Sequence, residues 1–273
     1  MFDLVKYSYK LSTLSSIVLS PRAQTGFYYN IDYDETSLGD NLPKDKIPKL
    51  IYPFYQYGSY EKYNPKKARY YIPGSSIKGA MEQKGELKFL VDDIRVVNQD
   101  IRWQTLQKVQ YIPKKGIIDE KRKAMKIDTF FPNTVVEYLV ADKVYSSDCW
   151  LPKEFMYEIE NIKNRTEIKL QRAMDIIEKI LREKEFPKGS DSYKAEKECR
   201  GLLKEMKNNI SNLYYESNGS KEREFFLFLG GYKGLALAQP FDINEIGESS
   251  IYIDLEKKLP YGLVKLSIES ARI

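Results

Sequence analysis

Histidine is absent from all 273 residues, which removes the commonest general base, proton shuttle and nitrogen ligand for metals. Histidine-dependent hydrolases and metallonucleases are thereby excluded. Any chemistry has to come from carboxylates around a hard cation, from Lys or Tyr, or from a Ser-Lys pair. Cysteine is nearly absent as well. Cys149 and Cys199 stand far apart without CxxC spacing, so they define neither a zinc site nor a disulfide framework and read as buried thiols. No run of eighteen apolar residues occurs, and Met1 to Lys10 alternates charged and apolar residues where a signal peptide would build an apolar core. The expectation is a soluble, cytoplasmic protein with no membrane partner.

What is present is a 42% apolar chain, enough to exclude disorder and to bury one large core or two small ones. The net charge of +5 hides an asymmetry: residues 43–123 hold 18 Lys/Arg against 9 Asp/Glu, a local +9, while the flanking parts are each −2. Lys62, Lys66, Lys67, Arg69, Lys78, Lys84 and Lys88 crowd one stretch, as on a surface that tracks a phosphate backbone. Tyrosine is skewed too, with 12 of 22 in the first 71 residues. Aromatic rings interleaved with lysines suit single-stranded RNA, although each Tyr taken alone suits packing in a strand.

The segment Tyr70 to Met81 sits inside this basic stretch and joins a Pro-Gly turn, two small hydroxyls and a lysine. Pro73 fixes its own φ, Gly74 frees the backbone, and Ser75 or Ser76 is a candidate cap for a helix running into Ala80 and Met81. Helix N-termini with free N–H groups attract anions. A plain strand-turn-helix corner has the same local chemistry.

Val5, Tyr7, Tyr9 and Leu11 alternate with polar residues, the period of a half-buried strand. Residues 20–65 lack periodicity and read as a Tyr-rich insertion loop or hairpin. Leu87 to Val91, Ile94 to Val97, Gln107 to Ile112 and Thr134 to Tyr145 are β-rich. Residues 153–217 read as an antiparallel helical pair. Its apolar stripes run from Leu170 to Leu181 and from Cys199 to Leu213 around a break at Phe186 to Asp191. The stripes suit docking onto a partner as well as a private core. Phe225 to Leu229 then runs into a second glycine turn, Gly230 to Gly234 with Lys233, and a strand through Val264, Leu266 and Ile268 follows. The order suits an elaborated ferredoxin-like α+β sheet.

Ile72 to Gly79 resembles, at eight consecutive positions, the I-P-G-S-S-[IL]-K-G motif of the RAMP superfamily, the RNA-binding subunits of type III CRISPR effector complexes. The turn Gly230 to Gly234 looks like the superfamily's C-terminal glycine-rich loop. Leu259 to Leu266 resembles the closing strand of the subunit that caps the 3′ end of the guide RNA in Csm complexes. The resemblance implies a ferredoxin-like RAMP fold over 1–273, as one domain or two fused halves, with long loop insertions. It also implies a noncatalytic subunit that grips guide RNA (crRNA), and possibly target RNA, beside other type III effector subunits. Gly74, Ser75, Ser76, Lys78 and Gly79 would meet the RNA backbone, assisted by Lys66, Lys67, Arg69, Gly231 and Lys233. No cofactor or metal is implied for that role. The family's backbone subunits cut target RNA with an acidic residue after the first strand, where this chain offers Asp32, Asp34 and Asp40. A Mg²⁺-dependent endoribonuclease using Asp32 or Asp34 is therefore the enzymatic alternative, and an adaptor without RNA contact is a second.

Overall fold

The structure, a computed structural model, describes residues 4–21, 26–38, 47–81, 88–111, 125–152, 155–182, 188, 191–219, 223–231 and 249–269. Among the sequence candidates, Asp40, Lys84 and Lys233 lie outside the described residues. In chain order the elements are β1 (Leu4–Thr13), β2 (Phe27–Tyr28), α1 (Glu35–Leu38), β3 (Leu50–Tyr52), β4 (Tyr71–Ile72), α2 (Gly74–Met81), β5 (Leu90–Val91) and β6 (Ile94–Arg95). They continue with β7 (Ile101–Gln104), β8 (Gln107–Tyr111), β9 (Met125–Thr129), β10 (Thr134–Leu139), β11 (Val144–Pro152), α3 (Phe155–Arg182) and α4 (Asp191–Asn218). The last four are β12 (Glu224–Phe228), β13 (Ser249–Asp254), β14 (Leu259–Pro260) and β15 (Leu263–Ile268). The class is α+β.

A five-stranded sheet in the order β12-β15-β1-β11-β5 forms the base, and every pairing in it is antiparallel. The alternation read in β1 places Tyr9 and Leu11 in the core at 1% and 0% exposure, while Lys6 and Lys10 face out. Ile72, Ile77 and Met81 from β4 and α2, with Phe155, Ile159 and Ile162 from the start of α3, cover one face of this sheet in a shared core. Thr166 ties α3 down by donating its hydroxyl to the Phe226 carbonyl at 2.6 Å.

The helical pair is antiparallel: Arg200 near the start of α4 donates to the Leu181 carbonyl at the end of α3, and Lys207 pairs with Glu178 further back. Arg200 and Glu196 form a buried ion pair within α4. Both apolar stripes are consumed internally. Leu170, Ala173 and Ile177 meet Cys199, Leu203, Met206 and Ile210 above Val109, Met125, Ile251 and Ile253 of a second sheet, ordered β14-β13-β8-β9. Burial pushes the thiol of Cys149 up to about 12 and that of Cys199 up to about 11.

Two stretches are defined more finely than in the sequence reading. The β-rich run 134–145 is two strands, β10 and the start of β11, which belong to different sheets and are separated by a reversal in which Asp142 adopts φ 59°. Of the loop and hairpin alternatives for the Tyr-rich segment, the antiparallel pairing of β2 with β3 is the hairpin. The segment supplies β2 and β3, which extend β10 and β7 into a four-stranded sheet, and a small core of Phe27, Tyr33, Leu38, Ile51 and Tyr63 closed by Val135. Its tyrosines pack because ring area stabilises a short, charged segment that has few aliphatic residues. None of the described helices is long and apolar enough to cross a membrane.

Candidate nucleic-acid interface

Helix α2 starts at Gly74, two residues earlier than a Ser75 cap and three earlier than a Ser76 cap would place it. The cap comes from elsewhere in the chain: the Gly74 amide donates to Asp93 Oδ1 at 2.8 Å, and the Ser76 and Ile77 amides donate to the Pro73 carbonyl at 2.9 and 3.3 Å. The expected capping role of Ser75 or Ser76 is thus corrected, since a carboxylate is a stronger acceptor than a hydroxyl and is already aimed at the helix N-terminus. Glycine is required at 74 because a Cβ there would stand 2.0 Å from the Val91 carbonyl oxygen. With the cap assigned to Asp93, the hydroxyls of Ser75 and Ser76 are left without partners among the described residues.

Those hydroxyls line a cleft of about 650 Å³. Ser75, Ser76, Gly79 and Ala80 form one wall, Val18 to Pro21 after β1 another, and Phe228, Gly230 and Gly231 after β12 a third. The two glycine turns, more than 150 positions apart in sequence, meet here. Gly230 makes this possible: it has φ 79°, and a Cβ on it would meet the Val18 carbonyl oxygen at 2.3 Å, so the turn packs directly on the backbone that leaves β1. Tyr52 and Tyr55 add half-buried rings, and Lys169 of α3 supplies a cation. Lys169 is exposed to the cleft yet partly desolvated by its walls. That desolvation, followed by the nearby Arg165 guanidinium, holds its ammonium below the ordinary lysine value. Arg165 itself donates to the Met81 carbonyl at 2.7 Å, fixing α3 against the end of α2.

The other sequence candidates fall elsewhere. Lys78 is on α2 but off the cleft, with Nζ 5.0 Å over the ring of buried Phe89. Lys66, Lys67 and Arg69 are exposed on the approach to β4. Asp32 and Asp34 serve local turns: Asp32 Oδ2 accepts the Tyr28 amide at 2.7 Å, and Asp34 Oδ1 accepts from Thr36 and from the Ser37 amide and hydroxyl. These bonds, the Thr36 hydroxyl first, hold the Asp34 carboxyl below its usual value. Among the described residues no three Cys, Asp or Glu side chains converge as a metal site requires.

Of the early tyrosines, Tyr33, Tyr63 and Tyr70 are buried, whereas Tyr57 stacks on Tyr71 with ring centroids 4.0 Å apart. Lys169 and the stretch Val18 to Pro21 escaped the sequence reading. A lysine on a long charged helix carries no local mark of facing a cleft, and Val18 to Pro21 has no motif. Chemically, the cleft offers free hydroxyls, a lysine, glycine backbone and ring faces, a set that suits an extended phosphodiester. The sequence matches no protein-family model and no curated protein.

Proposed function

We propose that this chain is a noncatalytic guide-RNA-binding subunit of a type III CRISPR interference complex, of the RAMP type and most like the 3′-end cap. The observation that carries the reading is the convergence of the Ser75-Ser76-Gly79 wall and the Gly230-Gly231 turn on one cleft with Lys169 at its side. The two segments that resemble the family's RNA-contacting loops thus share one surface. The strand order β15-β1-β11-β5, wholly antiparallel, with α2 between β1 and β5 and α3 between β11 and β15, supports a ferredoxin-like fold for the base sheet.

In this role the cleft binds backbone, and sequence is read by pairing between guide and target. Hydroxyls of Ser75 and Ser76 donate to phosphate oxygens, Lys169 supplies charge, and Gly79 and Gly231 let the strand approach the protein backbone. The local engagement of Asp32 and Asp34 favours this reading over the nuclease.

Binding of single-stranded RNA by the purified chain, followed by fluorescence anisotropy across a salt series, tests it. Affinity should fall as salt rises, and Lys169→Glu should weaken binding and reduce the slope of log K against log salt by about 1. Lys78→Glu, off the cleft, should have the smaller effect. Absence of salt-dependent RNA binding by the wild type, or an unchanged slope in Lys169→Glu, would defeat the proposal.

A further inference from the structure

A second cavity, of about 820 Å³, shares no lining residue with the cleft. It opens beside β7, the edge strand of the four-stranded sheet, under the turn that carries Lys66. Trp103 and Glu137 stand opposite each other across the β7–β10 pairing, and both line the cavity. The Trp103 indole is half-buried against the Tyr-rich core and forms an aromatic wall. Lys66 and Arg102 at the mouth are exposed, and neither forms an ion pair among the described residues.

The mouth is held in place. Asn98 donates from Nδ2 to the carbonyls of Pro65 and Ala68 at 3.0 and 2.9 Å, clamping the turn that presents Lys66. The floor is an acid. Glu137 is 2% exposed and accepts from the Phe54 amide, Tyr63 and Tyr70. A buried carboxylate opposes entry of an anion, whereas Lys66 and Arg102, exposed at the rim, attract one, with Asp100 within Coulombic reach of Arg102. The cavity therefore has a polarity, with a flat neutral body inside against an indole face and a negative group outside.

We propose that this cavity binds one unpaired nucleoside phosphate, with its base against Trp103 and its phosphate held by Lys66 and Arg102. Stacking on an indole and charge at the rim tolerate any base, as unpaired nucleotides in single strands require. If the nucleotide belongs to an RNA strand, the inference deepens the RNA-binding function proposed above, on which it then rests; a free mononucleotide would present the same chemistry.

The test uses the full chain with two probes. A single-stranded RNA decamer carrying one 4-thiouridine reports affinity and, after irradiation and peptide mapping, position. AMP titrated against tryptophan fluorescence in a Trp150→Phe background reports occupancy beside Trp103. Adducts within residues 98–103 and quenching by AMP are expected. Arg102→Glu, at an exposed site that leaves the core untouched, should weaken decamer binding roughly tenfold, as should Trp103→Ala, with Trp103→Phe largely retained. Decamer binding that Lys169→Glu weakens, but that Arg102→Glu and Trp103→Ala leave unchanged with no adduct at 98–103, overturns the pocket and spares the RNA function. Quenching by AMP without decamer binding keeps the pocket and removes the RNA function. Binding of neither probe removes both.

Discussion

Asp93 accepts the Gly74 amide hydrogen at 2.8 Å, so the helix that begins the Pro-Gly-Ser-Ser motif carries its own anion. The same carboxylate accepts the Tyr57 hydroxyl through Oδ2, and the Asp93 carbonyl accepts from Ser147. One residue thus joins α2, the Tyr-rich segment and β11. With the helix terminus satisfied from within, a phosphate of the proposed RNA ligand would be left to the hydroxyls and Lys169 in the cleft instead of competing for the first amide.

Asp93→Ala should therefore lower stability by about 1 kcal/mol, the usual worth of a helix cap, with urea denaturation as the measurement. Gly74→Ala should be the more damaging change, because its Cβ would stand 2.0 Å from backbone and not from a movable side chain. A Gly74→Ala protein as stable as wild type would show that the close approach to Val91 is not held in solution.

Glu137 anchors the Tyr-rich segment to β10 through three donors, and burial raises its carboxyl above the usual carboxylate value against the pull of Tyr70, the Phe54 amide and Tyr63. Tyr70→Phe removes a donor from a buried acceptor and should cost roughly 1–3 kcal/mol. The pH dependence has a definite sign. Because the native group binds its proton more tightly than the unfolded one, its contribution is fullest below about pH 4.3, the unfolded value. It is lost as pH rises from there through the raised native value. Glu137→Gln should flatten that part of a stability-versus-pH curve. An identical slope in the variant would assign the pH dependence to other groups.

The raised thiols make a simple check of packing. At pH 8 neither Cys149, pushed up to about 12, nor Cys199, pushed up to about 11, presents thiolate. Ellman's reagent should react with neither in the native protein and with both after denaturation. Rapid labelling of Cys199 without denaturant would mean that the α3–α4 core opens.

Periodicity made β1, β15 and both long helices legible, because each buries a regular face that a strand or helix repeat exposes in the chain, whereas β12 was legible as a short apolar run, buried from Phe225 to Phe228. The motif helix was legible from Pro73 and Gly74. Its cap was not, since Asp93 lies 19 positions away and reaches Gly74 only through the fold. The small tyrosine core was illegible for a similar reason: its closing residue, Val135, belongs to a strand far along the chain. Half of the cleft could be read from the two glycine turns. Lys169 could not, because a helix shows which residues share a face but not which neighbour that face meets.

Gly79 is the position where stability and the proposed RNA binding can be tested separately. It occupies the helix α2, where glycine is less favourable than alanine by about 1 kcal/mol, yet a Cβ there would meet nothing within 4 Å. No packing demand accounts for the glycine. It lines the cleft, where a methyl group would take up open space on the wall that Gly79 shares with Ser75 and Ser76. Gly79→Ala should raise stability by about 0.5–1 kcal/mol and at the same time weaken RNA binding, with no change in its salt slope because no charge is altered. Thermal denaturation and anisotropy on the same preparation measure the two effects together. A stabilised variant with wild-type RNA affinity would mean that the strand does not approach α2 at this position, and the cleft's contact would then have to run along the Gly230-Gly231 side.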